Sequence, residues 1–537
     1  MNLRWTAGLV GVLLAGCGGG GGSDAPPPPP TSVPAPAPAP APAPAVMTVE
    51  SGTVARVVAS GTGVHVDVTA RASNFTPKGT LYAVANDPAG LLQVPVQVTA
   101  AGDTYTFSLD SAMLPAGRHE GTLTLKLCAD QACTTAQAVP SISVAYELTV
   151  LSAGSAWPGD NLSALAPLAG ASDWATFQGN NAHTGYVPAE LSPDRFRLRW
   201  KRGSVNTSAT DSDAPPSPLV TSGGLLFASG DLKLVAYREQ DGGTVWSRDM
   251  GDTSYPSVNP PAVDNGVVYM AAGQSSPYLY AFQAATGNVV FRTPMSSYWS
   301  DYMPPIVQSG GVFTAGGYGA LLGYTLTGDS LMNASLSQTT TWTPAGDEKG
   351  IYAYTGDALT IFDPRTGAKL KTIRDNASSS YVYAIGGAPV IGAKGVYAAA
   401  YASANSYGGR NSLTRFDTVN GYVDWRVAGA YPVTPAYANG VLYAPNTAPL
   451  RVEARSEETG ALLWAWTPQQ NVETKFHGAP VVTKNMLFFS TNKVTYALDL
   501  RSQKVVWSYP APGHLAISAN GVLYIQTPDG LVAVNLK

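Results

Sequence analysis

Charge is scarce in this sequence. Asp, Glu, Lys and Arg make up 13% of its 537 residues, about half the share of an ordinary soluble domain. Lys and Arg number 32 against 36 Asp and Glu, for a net charge of −4. Binding nucleic acid needs clustered cations, so there is no electrostatic case for it. Cysteine is nearly missing too: Cys17, Cys128 and Cys133 are the three in the chain. The five histidines, at 65, 119, 183, 477 and 514, show no H-x-x-x-H spacing, which removes the commonest zinc signature. His183 and His477 read as hydrogen-bonded structural residues. No G-x-S-x-G elbow or phosphate loop occurs. Long apolar runs are absent as well. The candidate, Trp5–Leu14, is too short to cross a bilayer as a mature helix.

What is present points to β-structure. There are 56 Gly, 42 Pro and 27 Tyr against 13 Phe. Abundant turn-formers and aromatics with few charges suit an all-β protein. The length implies two or more domains.

The first residues, "MNLRWTAGLVGVLLAGC", place Arg4 before the apolar run and end it in Leu14-Ala15-Gly16-Cys17. This resembles a bacterial lipoprotein lipobox, which implies cleavage after residue 16 and lipidation of Cys17. The alternative is a cleaved secretory signal with an incidental cysteine. No Asp follows Cys17; by likeness to the enterobacterial sorting rule, that implies the outer membrane. Residues 18–45 are a Gly run followed by Pro-Ala repeats. Such a segment is flexible, then extended at about 3.1 Å per residue, and cannot bury a core. It reads as a disordered tether from a membrane surface.

With Cys17 set aside, Cys128 and Cys133 remain, in "LCADQACTT". An oxidising periplasm permits a disulfide closing a small loop. A metal pair is the rival reading, but no second Cys or His pair accompanies it. A redox dithiol would more usually read C-x-x-C.

Residues 46–152 alternate with period two in "GVHVDVTA", "TYTFSLD", "GTLTLKLC" and "SISVAYELTV", which predicts a small β-sandwich. It resembles bacterial immunoglobulin-like modules in architecture and implies a spacer or a protein contact. Residues 153–172 read as a linker.

From 173 to 537 one phrase recurs: "LVAYREQDGGTVW", "LYAFQAATGNVVF", "VTYALDLRSQKVVW". Its turn position is Gly242, Gly287, Gly328, Gly367, Gly421, Gly460 and then Gln503. Four residues later stand Trp246, Phe291, Met332, Lys371, Trp425, Trp464 and Trp507, so the fourth unit is degenerate. A period of roughly 40–55 residues signals propeller blades. The chain ends after three strands of an eighth unit, and "RFRLRWKRG" around Trp200 supplies a lone strand to complete it. An eight-bladed β-propeller closed by that strand is predicted.

The A-[FY]-x-x-x-[TD]-G-x-x-[VL]-W repeat and the lead-in "WATFQGNNAHTGY", Trp174–Tyr186, resemble the pyrroloquinoline-quinone (PQQ) repeat of quinoprotein-like propellers. That resemblance implies one of two roles. Cofactor-free members, including the lipoprotein subunit of the outer-membrane β-barrel assembly machine, are scaffolds for other cell-envelope proteins. Dehydrogenases of alcohols or sugars bind PQQ and Ca²⁺ on the ring axis, in many cases beside a vicinal Cys-Cys. This chain has no Cys after 133 and compact blades, which favours a non-catalytic protein with no cofactor. Asp301 and Asp347 are nominal bases without a visible partner set. A candidate binding rim collects the aromatics before each inner strand: Tyr255, Tyr298, Trp299, Tyr302, Trp342, Tyr381, Tyr431 and Phe476. Rigid amphipathic rings on one face suit protein or glycan contact, or else close the channel mouth.

Overall fold

A computed structural model describes residues 42–50, 52–205, 218–230, 233–250, 260–273, 277–296, 304–316, 319–336, 343–375, 388–400, 411–469 and 472–537. The chain divides into two units, Met1–Pro44 and Ala45–Lys537. The leader, Cys17 and nearly all of the tether fall outside the described residues.

The second unit opens with a β-sandwich. One sheet orders Val46–Val49, His65–Ser73, Thr104–Ser111 and Leu92–Ala101; the other orders Thr53–Ala59, Ile142–Leu151, Gly117–Cys128 and Tyr82–Asn86. Alternation drives the pairing. In Thr104–Ser111 every second side chain is buried, and Tyr105, Phe107 and Leu109 meet Leu123, Leu125 and Leu127 of the facing sheet in one core. Cys128 and Cys133 are disulfide-bonded, with Cα atoms 5.1 Å apart. Asp130 caps that tight loop by accepting the N–H groups of Thr134 and Thr135 at 2.9 and 2.8 Å.

Eight four-stranded antiparallel sheets follow. Blade 1 runs Val220–Ser222, Leu225–Gly230, Lys233–Arg238 and Thr244–Asp249. The outermost strands of blades 2 to 7 are Val289–Pro294, Ser330–Ser335, Lys369–Arg374, Tyr422–Ala428, Leu462–Trp466 and Lys504–Tyr509. Blade 8 orders His514–Ile517, Val522–Thr527, Gly530–Asn535 and then Arg197–Gly203, with Ala533 opposite Trp200. The sequence expectation of eight blades closed by the strand around Trp200 is borne out.

The recurring phrase has a physical basis at each joint. The aromatic four residues past the turn sits opposite a small residue of the third strand: Ala236 faces Trp246, Ala281 faces Phe291, Ala454 faces Trp464 and Ala497 faces Trp507. A register shift follows at that point in each blade, the local irregularity that strengthens strand twist. The ring then reaches the next blade. Trp200 Nε1 donates to Glu239 O at 3.1 Å, Trp246 to Ala284 O at 2.8 Å and Trp425 to Glu457 O at 3.0 Å. The turn glycine lies over that ring. At Gly287, φ is +68° and an added Cβ would meet Trp246 at 2.6 Å, so both the left-handed backbone and the close approach demand glycine. Lys371 breaks the aromatic pattern but keeps the donor: its Nζ gives hydrogen bonds to Thr418 O and Val419 O, each 2.9 Å.

The sandwich docks on blade 7. Its edge strand Thr53–Ala59 pairs in parallel with Ile142–Leu151 on one side and turns its other side to the propeller. Ala59 N donates to Ser508 Oγ at 2.8 Å, and Ala55 N to Asp194 Oδ1 at 3.2 Å. Buried Arg56 forms an ion pair with Asp194. Asp67 meets Arg501 at 2.5 Å and Asp110 meets Lys504 at 2.5 Å. His65 lies between those two carboxylates, 2.7 Å from Asp110 and 3.2 Å from Asp67. Burial opposes its charged form, but the hydrogen bonds to Asp110 and Asp67 outweigh that and raise its pKa to about 9.

Residues 153–172, read as a linker, form no strand or helix yet are packed. Asn161 N donates to Arg199 O at 2.7 Å and Leu168 N to Ala519 O at 2.8 Å. Trp157, Leu165 and Leu168 lie against the core around Trp200. This strap runs along the outer strand of blade 8.

Candidate functional site

The ring axis is built by the short inner strands, most of which neighbour the next around the circle. The lead-in segment threads along them. Trp174 O accepts from Thr221 N in blade 1, and Ala175 O from Val263 N in blade 2. Thr176 Oγ1 donates to Pro305 O in blade 3, and Asn181 O accepts from Gly346 N in blade 4. Ala182 O, Thr184 O and Gly185 O accept from Ile391, Tyr437 and Val482 in blades 5, 6 and 7. One short stretch thus satisfies inner-strand donors around most of the ring. The unmet inner-strand N–H groups explain why a segment so poor in regular structure is held so tightly.

His183 belongs to this thread. It is fully buried, its Nδ1 donates to Pro389 O at 3.0 Å, and its ring meets Phe177 edge-on. Burial lowers its pKa to about 4, so it is neutral at physiological pH. His477 and His514 face each other with centroids 5.1 Å apart. Burial lowers both, to about 4 and about 3, and neither carries charge into the site.

The outer edges of the blades differ from the axis. Blade 7 is covered by the sandwich: Val505 and Val506 are each only 5% exposed. At the same distances past the turn, Val289 and Val290 of blade 2 are 60% and 48% exposed, and Leu462 and Leu463 of blade 6 are 44% and 54% exposed. Between the sandwich and blades 6 and 7 lies a cavity of about 290 Å³. Trp466, Val472, Val494 and Val505 line it, with Ala59 and Leu151 from the sandwich. Glu473 on its wall accepts hydrogen bonds from Thr491 Oγ1 at 2.5 Å and Tyr496 OH at 3.1 Å. Burial raises its pKa against those two bonds.

With this geometry in hand, the family model of outer membrane protein assembly factor BamB matches residues 161–406 and 382–537. Together these cover the strap's end, the lead-in and all eight blades. The chain belongs to the BamB family. Solved structures similar to it include BamB from Moraxella catarrhalis, at 18% identity over 63% of this chain and 97% of that one, with a TM-score of 0.49. The computationally designed Ika8 protein follows at 13% identity, covering 63% and 100%, with a TM-score of 0.48. A europium-containing methanol dehydrogenase has 12% identity, covering 66% and 89%, with a TM-score of 0.48. Comparison with curated protein sequences finds no match.

In this BamB-family propeller the expected aromatic rim divides in two. Tyr255, Tyr298, Trp299, Tyr302, Trp342 and Tyr381 fall outside the described residues. Tyr431 and Phe476 are core residues, which corrects their reading as rim. Tyr431 is 1% exposed and its OH donates to buried Glu453 at 2.9 Å. Glu453 also meets Arg455 and Arg451, each at 2.6 Å. Phe476 packs edge-on against Phe489 with centroids 6.2 Å apart. Both were misplaced because an aromatic before a strand looks the same in sequence whether it points outward or into the next blade.

Asp301 falls outside the described residues. Asp347 is a turn cap: it accepts from Lys349 N at 2.8 Å, Gly350 N at 3.1 Å and Tyr352 OH at 3.1 Å. Among the described residues no group of three or more His, Cys, Asp or Glu side chains is placed to hold a metal ion. They offer no such ligand set for the calcium ion of a quinone site.

Sequence reasoning missed the outer edge of blade 6. Leu462–Trp466 reads LLWAW, the one outer strand of the eight without a charged or polar side chain. That compositional gap was visible in the sequence, but its meaning depends on knowing which strand of the blade lies outside.

Proposed function

We propose that this protein is a non-catalytic scaffold of the bacterial cell envelope that binds other proteins through its propeller and serves outer-membrane protein assembly. The observation that carries this reading is the BamB-family match across the whole propeller. The structure supports it physically. The chain's own lead-in takes up the inner-strand hydrogen bonds along the axis, while apolar side chains stand exposed at the outer edges. Large exposed apolar patches on soluble proteins mark interaction surfaces.

The finer placement belongs to the same proposal. Lipid on Cys17 anchors the protein to the outer membrane, and the Gly and Pro-Ala tether holds the folded unit in the periplasm. Deletion of the gene lowers the abundance of folded β-barrel proteins in the outer membrane, and in-cell crosslinking joins the chain to components that assemble them. Unchanged barrel levels together with no such crosslinks would overturn the reading. Radiolabelled palmitate enters the wild-type chain and not Cys17→Ala. Purified protein mixed with PQQ and Ca²⁺ develops no quinone absorbance and reduces no dye with alcohols or sugars.

A further inference from the structure

The geometry points to the outer edge of blade 6 as a strand-addition site for an extended apolar segment of a partner polypeptide, with one of its side chains seated in the cleft beside the sandwich. This deepens the scaffold reading and rests on it for its biological setting.

Three observations carry it. First, among the described residues Leu462–Trp466 pairs with a neighbouring strand on its inner side alone, so its outward N–H and C=O groups have no strand partner there. An open edge is a template for another strand, and natural proteins protect such edges with charge, proline or a covering element. Blade 1 has Arg248 there, blade 2 Arg292, blade 4 Lys369 and Arg374, and blade 5 Asp424 and Arg426. Blade 6 has none of these, and Leu462 and Leu463 stand open to solvent.

Second, the chain shows what covers such an edge. On blade 7 the equivalent valines are buried, and what packs over them is the edge strand of a β-domain, Thr53–Ala59, held through the Ser508 side chain and not by a strand ladder. Blade 8 is covered by the strap. The covered edges therefore stop next to the most apolar bare one.

Third, blade 6 is continuous with that established interface. Gln469, just past its outer strand, accepts Gly63 N of the sandwich at 3.1 Å. Trp466, the last residue of the strand, lines the cleft together with Val472, which is 58% exposed. The carboxylate on the cleft wall, Glu473, already has its hydrogen bonds from Thr491 and Tyr496, so the space left suits an apolar side chain. Backbone pairing supplies affinity in this mode, and a pocket for alternate side chains supplies selectivity. Segments with alternating apolar side chains, the pattern of membrane β-strands, have the matching chemistry.

The test uses the full chain and a fluorescent ten-residue peptide alternating valine and serine, followed by anisotropy. Wild type binds it. Leu463→Lys weakens binding at least about tenfold, the factor that about 1.4 kcal/mol represents. Val290→Lys, the equivalent change on blade 2, leaves affinity unchanged, and a peptide with proline at alternate positions does not bind. Both variants change exposed side chains, and an unaltered circular dichroism spectrum and melting curve confirm the fold. Equal peptide affinity in Leu463→Lys and wild type, or no binding by wild type, overturns the proposal. Envelope crosslinks that persist while the peptide result fails would defeat strand addition alone. Peptide binding at this edge without any envelope crosslinks would defeat the scaffold reading alone.

Discussion

The outer strands of blades 6 and 7 occupy the same place in the same repeat and meet opposite fates. Lys504–Tyr509 is buried beneath the sandwich from Val505 onward, whereas Leu462–Trp466 stands at the surface. Both are rich in apolar residues, and blade 6 more so. Composition at the repeat level therefore does not decide burial. The neighbouring domain decides it, through a small set of polar contacts at Arg56, Asp67, Asp110 and Ser508. The lesson is that a propeller edge becomes an interface when its own side chains cap the edge N–H groups of an incoming β-element, as Ser508 and Asp194 do here.

The comparison can be broken most strongly at equivalent positions. Val506→Asp places an unpaired carboxylate under the sandwich and lowers unfolding free energy by about 3 kcal/mol or more. Leu463→Asp, at the same offset on blade 6, changes it by no more than about 0.5 kcal/mol. Urea denaturation measures both. A smaller effect comes from Arg56→Ala, which strands the Asp194 carboxylate against the sandwich edge. A loss of about 2 kcal/mol is expected, below that of a fully buried pair because Asp194 keeps some solvent contact.

The docking also carries a pH signature. The folded pKa of His65 is raised from 6.5 to about 9. Its contribution is therefore complete below pH 6.5 and is lost as pH rises through about 9. The opposite sign applies to Asp67. Burial resists its ionisation, but hydrogen bonds from His65 and Ser108 prevail and bring it from 3.8 to about 2. Its contribution is complete above pH 3.8 and is lost as pH falls through about 2. The melting temperature is thus expected to fall between roughly pH 6.5 and 9 in wild type, and to lose that slope in His65→Gln. The smallest effect concerns the turn of blade 7. Gln503 holds φ at +59° where six other blades have glycine. Gln503→Gly relieves that backbone and raises stability by about 0.5–1 kcal/mol, read as a higher melting temperature.

Much of this architecture was legible in the sequence because it repeats. The period, the turn glycines, the ring-closing strand around Trp200 and the degenerate fourth unit follow from one phrase read seven times. What did not repeat stayed hidden. The lead-in was recognisable as a segment, but its passage along the inner strands uses, at six of seven blades, backbone carbonyls that any residue could supply. The strap at 153–172 looked like a spacer because its anchors are single residues, Asn161 and Leu168. The sandwich interface depends on charged pairs more than 130 residues apart in the chain, which periodicity cannot connect. Tyr431 and Phe476 show the converse: the pattern found them, but only burial showed which way they face.

Hydrogen exchange by mass spectrometry on the purified full chain tests the contrast between the two edges most directly. Peptides covering 504–509 should exchange at the slow rate of the propeller core. Those covering 462–466 should exchange much faster, with their outward amides open to water. Equal exchange of the two strands would mean that the sandwich does not cover blade 7 in solution, and the reading of blade 6 as the bare counterpart would fall with it.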